Sequence, residues 1–391
     1  MTISRNIQSF LPRPEHPPRK AVAALSGGVD STFAAWQLRK AGVEVIGVHL
    51  YLGNFYAGKS EQSRCADRQE GRHAEKAAAW LDIPFHVMDV SDRFASEVIL
   101  PFARSYGQGL TPNPCVICNP CIKARTMMEL ADKWGADAIT TGHHARIKYR
   151  PEEDRYCLMT GAGSKKDQSY FLARLHPDQV ARLVLPAGHF DKDRIREELK
   201  EAGAPGFDKV ESQDICFVDP AGYAAAVESI LKDETPPAGE IVDLTGRVLG
   251  FHPGIHYFTV GQRKGLNISA GEPYYVIDID PDYHRLIVGK REFTYSEHAL
   301  VHDLHWISPP PEEDERVQVK VRYRTKRVSG RLSFPGRDIA RIHFKKPQRA
   351  ITPGQYAVFY RDGEVLGCGT FTRQRTPEQL LPSALPGGHP R

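Results

Sequence analysis

Three cysteines within seven residues are the first place where this sequence could do chemistry. They are Cys115, Cys118 and Cys121 of Thr111–Lys123, TPNPCVICNPCIK, at C-x-x-C-x-x-C spacing. Thiols clustered this way in a long chain point to metal or redox chemistry rather than to disulfide staples. The spacing suits an iron–sulfur cluster held by thiolates, a structural zinc, or a reactive thiol with a resolving partner. A fourth candidate is Cys216, in Ser212–Phe217, SQDICF. The neighbouring Pro and Asn residues place the triplet in a loop. Packing as small buried hydrophobes is disfavoured for the triplet and favoured for the isolated Cys65, Cys157 and Cys368.

The second constellation is Ser26-Gly27-Gly28-Val29-Asp30-Ser31. It follows a short apolar run and opens a helical one. Two glycines let backbone amides approach a phosphate, and a helix N-terminus favours anions. Ser26 and Ser31 add hydroxyl donors. Asp30 is a poor neighbour for phosphate unless Mg²⁺ bridges the two, so that ion is expected. The Gly-Lys-[Ser/Thr] ending of a Walker A loop is absent, and the spacing is not G-x-G-x-x-G.

The elements that must position these residues alternate. Strands are expected at 20–25, 43–50, 85–90 and 136–141. Helices are expected at 31–41, ending at Gly42, at 62–81, after Ser91 as its cap, and at 122–134. Strands alternating with helices make a doubly wound parallel sheet, an α/β fold that binds ligands at the carboxyl ends of its strands. After about residue 210 the text changes to short strands and turns. The expected order is a flexible lead-in (1–19), a Rossmann-like nucleotide domain (20–212), a small mostly β central domain (213–291), a β-barrel-like domain (292–375) and a loose Pro- and Gly-rich tail (376–391). No internal repeat or low-complexity tract is found.

Length and composition bound the function. The chain of 391 residues is long enough for two or three domains, with 41% hydrophobic and 26% charged residues. No window approaches the ~20 apolar residues of a membrane helix. Residues 1–20 lack the apolar core of a secretory leader, and their low serine content disfavours a transit peptide. Pro12, Pro14, Pro17 and Pro18 preclude a helix through their second half. Seven cysteines, an odd number, fit reduced thiols in the cytoplasm. The net charge of +4 hides an asymmetry: between Arg316 and Arg349 twelve basic residues stand against Asp338, +11, leaving −7 elsewhere. The alternation in VQVKVRYR would put Lys320, Arg322 and Arg324 on one strand face, a row suited to phosphates. Nucleic acid is the expected partner, ahead of a merely solvated surface.

The hexapeptide resembles the PP-loop of ATP pyrophosphatases, which cleave ATP between the α- and β-phosphates and adenylate a carbonyl oxygen. With T-P-N-P-x-x-x-C-N-x-x-I-K, T-G-H-x-A-R (Thr141–Arg146), K-D-Q-S-Y-F-L (Lys166–Leu172), S-Q-D-I-C-F and G-Q-R-K-G-L (Gly261–Leu266) in that order, residues 20 to 375 resemble the bacterial tRNA 2-thiouridylase family. That family replaces the C2 oxygen of the wobble uridine, position 34, with sulfur, releasing AMP and pyrophosphate. The resemblance implies ATP and Mg²⁺, a tRNA substrate, a sulfur donor (a persulfide carrier or sulfide), and neither membrane nor DNA as partner. Carried over residue by residue, Cys118 is the first catalytic cysteine and Cys216 the sulfur-bearing one. Ala24, Leu25, Ser26 to Ser31, Leu50 and Gly142 form the ATP pocket. Asn113, Pro114 and Cys115 meet the target base. Lys166, Asp167, Gln168, His143, Arg322, Tyr323 and Gln355 contact tRNA.

Two departures from the family pattern stand out. Cys115 replaces an aspartate of many members and Cys121 a frequent glutamate, while Ala24-Leu25 stands for the usual Gly-Met. A Cys115, Cys118 and Cys216 triad resembles members proposed to hold a [4Fe–4S] cluster with one open iron that carries hydrosulfide. In the other version Cys216 carries a persulfide and Cys118 resolves the adduct. Another PP-loop tRNA thiolase or ligase, or a zinc-bearing RNA-binding protein, are the competing readings; the terminal basic region argues against the first and the intact loop against the second.

Overall fold

A computed structural model describes residues 10–53, 61–163, 166–206, 215–218, 222–269 and 271–373, with backbone alone over 61–70. The first half builds a parallel sheet in the order β3-β2-β1-β4-β7. Its strands are β1 (Lys20–Ala24), β2 (Glu44–Tyr51), β3 (Phe85–Asp89), β4 (Ala138–Thr140) and β7 (Leu183–Val184). β1 lies in the middle, with Val22 opposite Ile46 on one side and Ile139 on the other. Ala21, Val22 and Ala23 are at most 1% exposed, as a strand covered on both faces requires. The covering helices include α1 (Val29–Lys40) and α2 (Glu61–Leu81). Gly42 follows α1 at φ +82°, the left-handed position that glycine takes after a helix.

Strand order reverses between β1 and β4, so loops leaving these two strands open a crevice at the carboxyl edge. The S-G-G-V-D-S loop leaves β1 and Thr141–His144 leaves β4. Past β3, the cap expected of Ser91 is supplied by Asp89, whose Oδ1 accepts from the Ser91 amide (2.9 Å) and hydroxyl (2.6 Å). α3 (Ser91–Phe94) then passes through a π-turn, Ala95–Ile99, into α4 (Leu100–Gly107).

The cysteine triplet is helical, not a loop. α5 (Pro114–Cys118), a π-turn (Asn119–Ala124) and α6 (Arg125–Trp134) form one continuous run. Proline is tolerated in the first turn of a helix, which suits Pro114. Pro120 lacks an amide and would break an α-ladder, and here it sits where the helix widens to i→i+5 bonding.

The lead-in is anchored from Phe10. Phe10 and Leu11 are 1% and 4% exposed and join the core with Leu25, Leu38 and Val43. Two large apolar side chains recover enough burial energy to hold a Pro-rich segment in place. Residues 1–9 and the expected loose tail, 376–391, lie outside the described residues.

β5 (Ala145–Arg150) and β6 (Arg155–Thr160) form a hairpin that leaves the parallel sheet and extends the carboxyl-terminal one, Met159 pairing with Glu364. Glu364 is 3% exposed and takes Arg150 Nη2 and Arg155 Nη1, each at 2.7 Å. α7 (Pro177–Arg182) and α8 (Lys192–Glu201) complete the first half, and α9 (Tyr223–Leu231) packs back on α4 by Tyr106–Tyr223 stacking at 4.7 Å.

The middle region is a four-stranded sheet, β10-β11-β8-β9, from β8 (Gly239–Asp243), β9 (Val248–His252), β10 (Tyr275–Asp280) and β11 (Arg285–Gly289). The last region has β12 (Tyr295–Trp306), β13 (Arg316–Lys320), β14 (Val328–Gly336), β15 (Ile339–Arg349), β16 (Tyr356–Arg361) and β17 (Glu364–Phe371). They run β12-β15-β14-β13-β16-β17, and β17 pairs again with β12 to close a six-stranded antiparallel barrel. One hydrophobic core runs from Val22 and Ile139 of the parallel sheet to Tyr356, Val358 and Cys368 of the barrel.

The basic row is not a strand face. β13 ends at Lys320, and Arg322 to Thr325 form a turn in which the Thr325 hydroxyl accepts from the Arg322 amide (3.2 Å). Lys320 is 9% exposed, its ammonium 5.1 Å from the Tyr323 ring centre.

Candidate active site

The phosphate loop is shaped by its own hydroxyls. Ser31 Oγ donates to Gly28 O (3.0 Å), Thr32 Oγ1 donates to the same oxygen (3.0 Å), and the Ser26 amide donates to Ser31 Oγ (3.3 Å). Gly27 sits at φ +69°, and a Cβ there would lie 2.4 Å from His73 Cβ on α2. Gly142 crosses the start of α1 so closely that a Cβ would lie 2.5 Å from the Ser31 amide. The first and fourth strands thus meet at the amides a phosphate would use. Ala24 and Leu50 are half-buried and Leu25 is 2% exposed, its amide on Val48 O (2.8 Å).

Asp30 has cationic company without a metal. Lys192 Nζ of α8 binds its Oδ2, and His144 Nε2 lies 3.1 Å from Oδ1 in contact, though not aligned as a hydrogen bond. Burial pushes this carboxyl up, but His144 and Lys192 outweigh burial and hold it below the usual carboxylate range. Lys192 was not picked out from the sequence; it lies 162 residues from its partner. The pair offsets the charge of Asp30 in the absence of nucleotide.

Three of the thiols lie on α5 and the π-turn that follows it. Cys118 is 6% exposed, Cys115 and Cys121 are half-buried and Cys216 is exposed. Burial pushes the Cys118 thiol up to about 11, against the pull of Lys123. Phe217 anchors the Cys216 stretch, packing edge-on to Phe94 and Phe102 in the cluster that also holds Cys118. Ser212, Gln213 and Asp214 of that motif lie outside the described residues.

Lys123, the last residue of the T-P-N-P motif, was also missed. Burial pushes its ammonium down, yet Cys118, Cys115 and Cys216 outweigh that and raise it. The π-turn explains its position. In an α-helix, five residues after Cys118 would face about 140° away; with i→i+5 bonding, five residues make roughly one turn, so both face the same side. Lys123 also acts on His143. Burial first, then Lys123 and His144, push that ring down to about 3, with Asp30 opposing. His143 Nδ1 lies 2.8 Å from the Thr141 hydroxyl. Lys123 and His143 are half-buried.

No group of three or more His, Cys, Asp or Glu side chains is placed to hold a metal among the described residues.

The segment leading into the expected base-contact residues forms a three-way junction at Thr111. Asn113 and Pro114 open α5. The Thr111 amide donates to Pro353 O (2.9 Å), Gln355 Nε2 donates to Thr111 O (2.8 Å), and Thr111 Oγ1 donates to Thr259 Oγ1 of the middle region (3.2 Å). Other expected tRNA contacts are engaged internally. Asp167 Oδ1 accepts from the Gly161 and Ser169 amides, and Gln168 Oε1 accepts from the His144 amide (2.9 Å). Arg322 Nη2 donates to Val260 O, Ala350 O and Thr352 Oγ1. The Tyr323 ring lies 4.2 Å from that of Phe171. Lys166 is half-buried. Of the isolated cysteines, Cys157 and Cys368 are fully buried, and the Cys65 side chain lies outside the description.

Comparison with known proteins matches all three regions to family models. Residues 19–220 match a tRNA methyl transferase HUP domain, 227–290 a tRNA methyl transferase PRC-barrel domain and 296–371 an aminomethyltransferase beta-barrel domain. The tRNA-specific 2-thiouridylase MnmA of Desulforudis audaxviator is 39% identical over 346 residues, 88% of this chain and 96% of that one. The protein of the same name from Methylorubrum extorquens is 41% identical over 371 residues, 93% and 96%. A solved structure, the U34-tRNA thiolase NcsA from Methanococcus maripaludis with its [4Fe-4S] cluster, aligns at 16% identity and TM-score 0.35 over 58% of this chain and 69% of that one, too distant to bear on ligands. On the identity and coverage of these relatives, the chain belongs to the tRNA-specific 2-thiouridylase family.

Proposed function

We propose that this tRNA 2-thiouridylase activates the C2 oxygen of a wobble uridine with ATP and replaces it with sulfur carried on cysteine, in one cleft. The observation that carries this reading is the place of His143. Its neighbour His144 lies 3.1 Å from Asp30 of the phosphate loop, and Lys123, on the thiol side, pushes the His143 ring down.

A uridine inside a stacked anticodon cannot reach the cleft, so the base turns out of its stack. Its C2 oxygen attacks the α-phosphate of ATP, pyrophosphate leaves, and an AMP ester forms. The loop amides and Ser26 and Ser31 hydroxyls stabilise the phosphate charge. Mg²⁺ would enter as the counter-ion of the nucleotide. His143, neutral at pH 7, offers a hydrogen bond without adding charge. The terminal sulfur of a Cys216 persulfide then attacks C2 and expels AMP. Cys118 attacks the remaining S–S bond, which frees 2-thiouridine and leaves a Cys118–Cys216 disulfide for a thiol reductant to reopen. The exposure of Cys216 suits loading by a persulfide carrier, and the burial of Cys118 suits a thiol that must wait. A [4Fe–4S] cluster on Cys115, Cys118 and Cys216 is the other sulfur carrier that the resemblance implies, and no step is assigned to it. Work on tRNA together with reduced thiols supports a cytoplasmic setting for the reaction.

The test is thiolation of unmodified tRNA with ATP and a persulfide donor. Cys118→Ala and Cys216→Ala should each lose 2-thiouridine by about 10³-fold or more, while an ATP analogue binds as before. Retained 2-thiouridine in both variants would overturn the mechanism.

A further inference from the structure

We propose that the middle-region loop Thr259–Gly265, TVGQRKG, is a tRNA-backbone contact, with Arg263 and Lys264 as its phosphate-binding side chains. This rests on the tRNA reading above and adds a site from a region to which neither the motifs nor the family resemblance assigned any contact.

The loop is built to be rigid. Gln262 closes it on itself: its Oε1 accepts from the Thr259 amide (3.1 Å) and its Nε2 donates to Lys264 O (3.0 Å). The Val276 amide donates to Gln262 O (2.9 Å), and the Gly261 amide to Val276 O (2.8 Å), which tie the loop to β10. Gly261 and Gly265 take φ +89° and +81°, conformations that favour glycine. A Cβ on Gly261 would lie 2.4 Å from Ala350 Cβ, so the loop backbone is pressed against the barrel. Arg322 pins the other side through Val260 O (3.2 Å).

At the tip of this braced turn, Arg263 and Lys264 are exposed, and among the described residues neither meets a carboxylate. Long cationic side chains gain nothing for folding from such bracing; it fixes where their charge is presented. The place is informative. Thr259 touches Thr111, at the head of the T-P-N-P-C segment beside the thiols. Arg263 is four residues from Thr259, a reach of at most about 14 Å, the scale of a few nucleotides on either side of an extruded base. Phosphate contacts fix register without reading sequence, which is what holding a turned-out base requires. The geometry also accounts for Arg322: its guanidinium is spent on carbonyls, so it braces the loop whose cations face outward.

The experiment is a salt titration of labelled unmodified tRNA against wild type, Arg263→Gln/Lys264→Gln, and a control, Arg39→Gln/Lys40→Gln, at the far end of α1. The loop variant should bind about tenfold more weakly near 0.1 M salt, and its slope of log K against log salt should fall by about 1.5, near 0.7–0.9 per lost phosphate contact. KM for tRNA should rise more than kcat falls, and ATP-analogue affinity should stay unchanged. An unchanged slope, or an equal fall in the control, overturns the proposal while leaving the thiolation reading intact. Absence of any tRNA binding by wild type overturns the tRNA reading itself.

Discussion

The phosphate loop and the thiol segment differ in how far the chain must travel to build them. The loop is six consecutive residues whose shape follows from hydrogen bonds spanning five residues or fewer, such as Ser31 Oγ to Gly28 O. The thiol segment is held from a distance. Thr111 is gripped by Gln355 from 244 residues away and by Thr259 from 148. Lys123 comes into line with Cys118 only because the helix widens after Cys118. The shape of the phosphate loop is therefore locally encoded in this molecule, whereas the setting of the thiol segment is a product of tertiary assembly.

The sharpest way to break that contrast is to press on the loop from outside, leaving the thiol segment alone. Gly142→Val places side-chain atoms where even a Cβ lies 2.5 Å from the Ser31 amide and 2.6 Å from the Asp30 carbonyl carbon. Backbone cannot swing aside as a side chain can, so overpacking of about 1–3 kcal/mol is expected, expressed as a 10- to 100-fold loss of ATP affinity. Calorimetric titration with a non-hydrolysable ATP analogue measures it, with circular dichroism to show that the fold survives. Full ATP affinity in this variant would mean that the close approach of β4 to α1 is not what forms the pocket.

The same contrast explains what the sequence disclosed. Strand, Gly-rich turn and helix at 20–40 are contiguous, and the site there could be read directly. The triplet was expected in a loop because Pro112, Pro114 and Pro120 disfavour an ordinary helix. A π-turn escapes that argument, since it forgoes the bond that Pro120 cannot make. Lys123 carried a signal, closing the motif five residues after Cys118, but α-helical spacing points it the wrong way. The pairing of Lys192 with Asp30 has no sequence signal at all. ARIKYR and RYCLMT alternate around the Pro151–Asp154 turn, yet no hairpin was expected there; its transfer to the barrel has no local signal, because Glu364 with Arg150 and Arg155 is a contact across more than 200 residues. The basic row failed at Lys320, where a Thr325-closed turn ends the strand.

Damage to the distant half should behave in the opposite way. Gln355→Ala removes the 2.8 Å bond to Thr111 O and leaves that carbonyl without a barrel partner. A net hydrogen bond of this kind is worth about 0.5–1.5 kcal/mol. Thiolation kcat/KM should fall roughly three- to tenfold while ATP-analogue affinity stays at the wild-type value. An equal loss in ATP affinity would show that the barrel supports the whole cleft rather than the thiol segment.

The smallest effect is expected where the halves meet. An unfolded histidine takes its proton near pH 6.5, whereas burial, Lys123 and His144 push folded His143 down to about 3. Between these values the unfolded chain binds more protons at this ring than the folded one. Its contribution to stability therefore falls as the pH drops from about 6.5 toward 3 and is constant above that window. One proton sets a ceiling of about 1.4 kcal/mol per pH unit, and solvent reaching this half-buried ring lowers it. His143→Gln keeps a polar group near Thr141 and removes the titration. Its urea-unfolding free energy should decline less steeply than wild type between pH 6 and 4, and the two curves should run parallel above pH 7. Parallel curves over the whole range would mean that His143 is not flanked by Lys123 on one side and the phosphate loop on the other, and the two half-sites would then be neighbours rather than one cleft.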